Sequence, residues 1–247
     1  MNRLLRAAAL MLPAVLLART ADAASFTQAQ RDEIVAIVRD ALKTDPSILR
    51  DAVVAYQTDE AAHNQEAARA AIAGARDELV TPADPVAGNP RGDVTIVEFF
   101  DTRCPYCRKM ESTMDSFLGQ DKNVRLVYKD LPILGPASLL GSKALLAAQR
   151  QDAYGKMREA VMKLPPDTTL PQLETAARSL GLDWPRMARD MEDPAIQARL
   201  DANIRLAHGL GIQGTPALIV GDQIRYARKD VTRWLRTRGL TRKSAKV

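Results

Sequence analysis

The 247-residue sequence contains little cysteine, histidine or aromatic side chain: two Cys, two His and 4% aromatic residues. A structural zinc site needs about four nitrogen or sulfur ligands, and His63 and His208 each stand alone in the sequence. Proteins that bind single-stranded nucleic acid stack the bases on aromatic side chains, so we do not expect nucleic acid as a partner. Beyond the N-terminus, no segment is apolar enough to span a bilayer.

Both cysteines belong to one short motif, Cys104-Pro105-Tyr106-Cys107, which follows the apolar strand pattern Val94–Phe100. At a helix N-terminus, unpaired backbone N–H groups and the helix dipole stabilise a thiolate, and a second thiol about one turn later can close a disulfide with it. Half of a zinc site and a structural clip are the alternatives. No further ligands accompany the pair, and closing so short a loop removes little unfolded-state entropy. The motif predicts a redox-active Cys104–Cys107 disulfide, no other cofactor and no resident metal.

The N-terminus has the pattern of a secretory signal. Arg3 and Arg6 precede the apolar run Ala7–Ala18, and Ala21-Asp22-Ala23 places small residues at the spacing of a cleavage site. We expect residues 1–23 to be cleaved and the chain to be exported, most simply to a bacterial periplasm, where dithiol chemistry is favoured. An uncleaved membrane anchor is the alternative.

Three regions are predicted after the signal. Residues 25–80 read as a helical arm, since Ile34, Ile37 and Val38 recur at helical spacing. Its later part has only a weak apolar face, so the arm is either a solvated spacer or an element that forms a homo-oligomer, a dimer or a trimer. Residues 81–92, TPADPVAGNPRG, contain three prolines and two glycines and are predicted to be a linker.

Residues 93–240 are predicted to form an α/β domain that begins as strand, helix and strand, which favours a parallel pair with a right-handed crossover. A helical block occupies about residues 137–210, and Gly214-Thr215-Pro216 precedes a predicted hairpin and a closing helix over residues 231–238. Residues 241–247 form a basic tail. We favour a solvated helix face for the basic C-terminal residues over a surface for an acidic partner.

This order of elements resembles the DsbA-like branch of the thioredoxin superfamily, through the motifs EFFDTRCPYC and GTP. The stretch Phe26–Leu49, FTQAQRDEIVAIVRDALKTDPSIL, resembles the arm of ScsC-type periplasmic proteins. The resemblance implies a thioredoxin fold with a helical insertion, preceded by an N-terminal helical arm.

The resemblance also implies roles for seven residues. Cys104 would be the exposed nucleophile, Cys107 the buried resolving thiol, and Glu98 a buried acid that exchanges a proton with Cys107. An ordinary carboxylate at a strand edge is the alternative for Glu98. Pro216 would be a cis-proline that faces the cysteines and turns the Thr215 backbone toward an extended substrate. Pro105 and Tyr106 would set the environment of the thiolate.

The function implied is that of a periplasmic thiol–disulfide oxidoreductase or isomerase. Its substrates would be unfolded or misoxidised exported proteins, and an unidentified membrane partner would restore its redox state. The motif lacks the histidine of the strongest oxidants, so the net direction of exchange stays open. The alternative function is Cu(I) binding or copper tolerance through Cys104 and Cys107, because soft thiolates suit Cu(I).

Overall fold

The computed structural model describes residues 26–226, which fall into two compact units, residues 26–58 and residues 59–226. The predicted signal peptide 1–23, the closing helix over residues 231–238 and the basic tail 241–247 lie outside the described residues. The division into residues 25–80, 81–92 and 93–240 stays a prediction. None of the helices described within residues 26–226 combines the length and apolar character that crossing a membrane requires.

The first unit is helical, as expected. Helix α1 (Gln28–Thr44) begins at a capping box in which the Thr27 hydroxyl accepts from the Gln30 backbone and the Thr27 amide donates to the Gln30 side chain. Helix α2 (Ser47–Gly74) follows after a short turn. No side chain of α1 is buried. Large apolar side chains of this unit are 39% to 67% exposed: Ile34, Val35, Ile37, Val38, Leu42, Ile48, Leu49, Val53, Val54 and Tyr56.

The second unit is built on a five-stranded mixed sheet. Its strands are β1 (Val86–Gly88), β2 (Val94–Phe100), β3 (Val124–Asp130), β4 (Ala217–Val220) and β5 (Gln223–Tyr226), in the order β1-β3-β2-β4-β5. Strands β2 and β3 are parallel and all other pairs are antiparallel. This confirms the predicted strand–helix–strand unit and the predicted hairpin. Strand β1, which the sequence analysis did not assign, lies within the segment interpreted as a linker.

The helix predicted between the first two strands and the helical block predicted over about residues 137–210 are both observed. A short helix α3 (Arg76–Leu79) precedes the sheet, and α4 (Pro105–Gln120) connects β2 to β3. Five helices between β3 and β4 form the insertion: α5 (Pro136–Gln149), α6 (Tyr154–Lys163), α7 (Leu170–Ser179), α8 (Trp184–Met191) and α9 (Pro194–Gly209).

The central strand β2 is buried along its whole length and separates two apolar clusters. Alternate residues of a strand face opposite sides of the sheet. Ile96 and Phe100 pack with residues of α4 and of the insertion, whereas Val97 and Phe99 pack in the other cluster. Glu98 lies between Ile96 and Phe100 in this alternation, so its carboxylate enters the cluster behind the cysteine helix.

Candidate active site

Cys104 is the N-cap residue of α4, and Pro105 occupies the first helical position, where a missing N–H costs no hydrogen bond. The Cys104 amide donates to the Asp101 carbonyl at 3.1 Å, which holds the turn between β2 and the helix. Pro105 and Tyr106 are exposed, and the Tyr106 side chain keeps 55% of its surface in solvent. The motif therefore stands at a helix N-terminus, as the sequence predicts.

Several groups stabilise the Cys104 thiolate and lower its pKa to about 5. The largest contribution is a hydrogen bond from the Cys107 thiol, and partial burial acts against it. Smaller contributions come from the Thr215 side chain and from the backbone amides of Cys107 and Tyr106. At neutral pH, Cys104 is therefore ionised and able to attack a disulfide.

The expectation that Cys104 is exposed is wrong: its side chain keeps only 4% of its surface in solvent, because the apolar cluster and the Thr215 loop cover it. Cys107 differs from Cys104 in its protonation. It is fully buried in the apolar cluster, and burial is the main reason why its pKa lies far above the ordinary value. The charge of the Cys104 thiolate and that of Glu98 raise the pKa of Cys107 further. The two thiols thus differ in protonation: Cys104 is ionised, whereas Cys107 keeps its proton and needs a base before it can react.

The loop before β4 lies directly against Cys104. The Thr215–Pro216 peptide bond is cis, as expected, and the role of Thr215 and Pro216 in binding substrate stays a prediction. The Thr215 carbonyl lies 3.3 Å from Cys104 Sγ and accepts a hydrogen bond from it when Cys104 is protonated. That contact favours the protonated thiol, whereas the Thr215 hydroxyl favours the thiolate. Thr215 therefore contacts the nucleophile through both its backbone and its side chain.

Glu98 lies behind the cysteines and is completely buried. Neither of its carboxylate oxygens accepts a hydrogen bond from the residues that the structure describes. Burial raises the pKa of Glu98 to about 7, and the nearby Arg158 guanidinium opposes that rise. A carboxyl group that titrates near neutrality is suited to exchanging protons.

Arg158, in the insertion helix α6, was not identified from the sequence. Its Nη2 lies 3.6 Å from Glu98 Oε2, and its Nη1 donates to Glu111 Oε1 at 2.9 Å. A signal was present, because Arg158 comes four residues after Tyr154 and three before Val161, on the face that α6 buries. An arginine on an apolar helical stripe indicates a buried charge partner.

Asp101, three residues before Cys104, was also missed. Its buried carboxylate accepts from the Arg103 amide at 2.7 Å, from the Ile133 and Leu134 amides at 2.9 and 3.0 Å, and from the Ser138 hydroxyl at 2.7 Å. One side chain thus joins the turn before the nucleophile to the loop after β3. Sequence offers no local signal for it, because three of the four donors lie more than 30 residues away.

The residues from 26 to 226 contain no group of three or more His, Cys, Asp or Glu side chains arranged to hold a metal ion. Met110 and Met114, which follow the motif on α4, are 5% and 2% exposed and pack in the apolar cluster.

A thioredoxin-like sheet, a dithiol at a helix N-terminus and a cis-proline beside it define a protein of the thioredoxin superfamily. Residues 95–234 match the model of the DSBA-like thioredoxin domain, and residues 30–63 match that of the copper resistance protein ScsC N-terminal domain. The chain therefore belongs to the DSBA-like thioredoxin domain family, a family of thiol–disulfide oxidoreductases. The expected fold class and the expected resemblance are confirmed.

Solved structures give the same result. A thioredoxin-like oxidoreductase from Silicibacter pomeroyi is 38% identical with a TM-score of 0.64, covering 69% of this chain and 99% of that one. ScsC of Proteus mirabilis in a transitional conformation is 29% identical with a TM-score of 0.61, covering 85% and 94%. A periplasmic thioredoxin-like protein from Salmonella enterica is 26% identical with a TM-score of 0.53, covering 59% and 82%.

The curated relatives are much longer proteins. Na(+)/H(+) antiporter NhaA 3 of Salinispora tropica is 29% identical over 152 residues, which are 59% of this chain but only 23% of the antiporter. This chain thus spans about a quarter of the length of the curated relatives that it matches.

Proposed function

We propose that this protein is a periplasmic thiol–disulfide oxidoreductase or isomerase that acts on cysteines of exported proteins. The observation that carries the proposal is the pairing of opposite thiols, with Cys104 ionised at a helix N-terminus and Cys107 buried and protonated one turn later. The Cys104–Cys107 disulfide would be the only redox group that the reaction needs.

In the reductive direction, the Cys104 thiolate attacks one sulfur of a substrate disulfide. The substrate S–S bond breaks, a Cys104–substrate disulfide forms, and the other substrate sulfur leaves as a thiolate. Glu98 then takes the proton of Cys107, and the Cys107 thiolate attacks Cys104 Sγ. The internal disulfide forms and the substrate leaves reduced. Oxidation of a substrate dithiol runs through the same steps in reverse.

The substrate would bind beside the cis-proline loop. Thr215 contacts Cys104 from this loop, so a substrate segment that pairs with the Thr215 backbone would bring its sulfur to the nucleophile. Pro105 and Tyr106 are exposed next to Cys104 and offer an apolar surface. Main-chain pairing and a small apolar surface do not select a sequence, which supports unfolded or misoxidised proteins as substrates.

The first unit supports assembly into a dimer or trimer. Its large apolar side chains are exposed within the described chain, and residues 30–63 match the ScsC N-terminal domain. Burying such side chains against further copies removes apolar surface from water. A homo-oligomer would present several cysteine pairs to one substrate, which suits disulfide shuffling.

Export to the periplasm is proposed from the signal-like residues 1–23. A catalyst of exchange in that compartment must be returned to its starting redox state after each net transfer of electrons. We therefore propose a membrane redox partner, which would keep an isomerase reduced or an oxidase oxidised.

Substitution of the nucleophile tests the enzymatic proposal. The wild-type protein should restore activity to scrambled ribonuclease or oxidise reduced ribonuclease, and Cys104→Ser should abolish both. Cys107→Ser is the matched variant, because it keeps the nucleophile and should accumulate the mixed disulfide. Wild-type rates in Cys104→Ser would overturn the proposal. Measuring the redox potential of the pair together with the oligomeric mass would then separate oxidase from isomerase.

A second candidate is Cu(I) binding, which the description of the ScsC N-terminal domain favours. Cys104 supplies a thiolate, but burial opposes ionisation of Cys107. The arrangement therefore fits disulfide exchange better than a two-thiolate metal site. Titration of the reduced protein with Cu(I) should decide, since stoichiometric sub-micromolar binding supports this candidate and its absence removes it.

A further inference from the structure

Behind the cysteines, the buried Arg158 guanidinium pairs with two carboxylates, those of Glu98 and Glu111. Arg158 is 4% exposed and Glu98 is not exposed at all, whereas the Glu111 side chain on α4 keeps 14% of its surface in solvent. A buried charge is costly unless it has partners. The guanidinium stays protonated in proteins. The carboxylate that interacts more strongly with it is therefore the one whose negative charge it stabilises more.

Arg158 lies closer to Glu111 than to Glu98. Arg158 Nη1 donates to Glu111 at 2.9 Å, an ordinary charge-assisted hydrogen bond. The Nη2 atom is 3.6 Å from Glu98 Oε2, which is beyond hydrogen-bonding distance. Glu98 is therefore stabilised by the charge of Arg158 without a hydrogen bond, and it is the weaker competitor for the guanidinium.

Two aromatic rings hold the guanidinium in place. The Arg158 Cζ atom lies 4.6 Å from the centre of the Phe100 ring and 4.2 Å from that of Tyr128. Phe100 lies two residues after Glu98 on β2, and Tyr128 is the partner of Glu98 in the β2–β3 register. The same strands that position Glu98 thus position the cation beside it, through cation–π contacts.

The cluster also borders solvent on the insertion side. An open cleft of about 390 Å³ is lined by both Arg158 and Glu111, and by Tyr128. Glu98 does not line it. Arg158 and Glu111 therefore lie between the buried acid and water.

We propose that Arg158 is a positioning residue for disulfide exchange, holding the buried Glu98 carboxylate ready to accept a proton from Cys107 while Glu111 competes for the same guanidinium. The inference rests on the proposed role of Glu98. In the resolving step, the Cys107 proton moves to Glu98, the Cys104–substrate S–S bond breaks, the Cys104–Cys107 bond forms, and the substrate sulfur leaves with the electron pair.

The charges around Glu98 support the direction of each effect. Burial raises the pKa of Glu98 and Arg158 lowers it, while Glu111, Asp115 and Cys104 raise it. The titratable groups that face Glu98 come from α6, from α4 and its N-terminus, and from β3: Arg158, Glu111, Asp115, Cys104, Cys107 and Tyr128. Removing Arg158 leaves burial unopposed, and removing the Glu111 charge frees Arg158 for Glu98.

The pH dependence of resolution tests the proposal. Reduced protein mixed with 5,5′-dithiobis(2-nitrobenzoate) should release two aromatic thiolates, the first on attack by Cys104 and the second on resolution by Cys107. The second phase should have an inflection near pH 7. Arg158→Met should move that inflection up by about one unit or more, which at pH 6 slows resolution about tenfold. Glu111→Gln should move it down, and Arg158→Lys should restore part of the loss.

Arg150→Met is the matched control. Arg150 also lies in the insertion and also serves two carboxylates, those of Asp190 and Asp193, at 2.9 and 2.7 Å. Neither of them is among the charges that act on Glu98. The inflection should stay at the wild-type pH in this variant.

Two results separate the inference from the function it rests on. An inflection that persists in Glu98→Gln would overturn the role of Glu98 and the inference with it. An inflection that Glu98→Gln removes but that Arg158→Lys and Glu111→Gln leave unmoved would overturn the Arg158 inference alone. Circular dichroism shows whether Arg158→Met folds. If it does not, the inflections measured for Arg158→Lys and Glu111→Gln still test the Arg158 inference.

Discussion

In the 26–58 unit, apolar side chains such as Ile37 and Val38 are 61% and 51% exposed, whereas in the 59–226 unit Glu98 and Arg158 are almost completely buried. Each arrangement is unfavourable for an isolated chain, since exposed apolar surface and buried charge both cost free energy. The two arrangements have different consequences. Exposed apolar residues favour contact with further copies, and buried charges change the protonation of the groups beside them.

The largest expected effect concerns the exposed apolar face. If it joins copies of the chain, the double substitution Ile37→Asp/Val38→Asp should lower the mass to that of one chain, because a charge in an apolar interface is costly. Multi-angle light scattering measures this directly. Gln57→Asp adds a charge at an exposed polar position of the same unit and should leave the mass unchanged. A single-chain mass for the wild-type protein would contradict the proposal that the exposed apolar residues join copies of the chain.

A smaller effect concerns the buried acid. Burial raises the pKa of Glu98 from 4.5 to about 7, so below about pH 4.5 it is protonated in both folded and unfolded states. As the pH rises through about 7, the unfolded state ionises first and the folded state loses ~3 kcal/mol of stability. In urea unfolding measured between pH 4 and pH 8, Glu98→Gln should make the decline smaller by this amount. The part due to Asp130, whose pKa burial raises to about 6, should remain.

Glu174→Gln serves as the control for that measurement, since Glu174 pairs with Arg178 on the surface of α7. It should leave the decline in place. An unchanged decline in Glu98→Gln would show that ionisation of Glu98 does not change the free energy of unfolding.

The smallest expected effect concerns the hydroxyl of Thr215. A hydrogen bond to the thiolate lowers the pKa of Cys104, so Thr215→Val should raise that pKa by about one unit or less. Thiolate absorbance near 240 nm, followed against pH, measures it. Thr175→Val is the control, because that hydroxyl donates to the Pro171 carbonyl at 2.9 Å, away from the cysteines. An unmoved Cys104 pKa would leave Cys107 and the helix N-terminus as its main stabilisers.

Most helices and strands could be predicted because their signals are local. Helices α5 to α9 lie in the block predicted over about residues 137–210, since their apolar side chains repeat at helical spacing. Strand β1 was missed, because three residues between Pro85 and Pro90 carry no periodic signal and gain their conformation from pairing with β3.

The covalent and local part of the site can be read from the sequence alone. The spacing of Cys104 and Cys107 and the helix that begins between them follow from one short motif, because hydrogen bonds within a few residues decide them. The cis bond before Pro216 was expected only from the family resemblance, since few X-Pro bonds are cis. The charge states of the cysteines and of Glu98 depend on tertiary packing. The burial of Cys107 and Glu98 and the approach of Arg158 depend on how α4 and the insertion pack against the sheet, and that packing sets the cost of removing a charge from water.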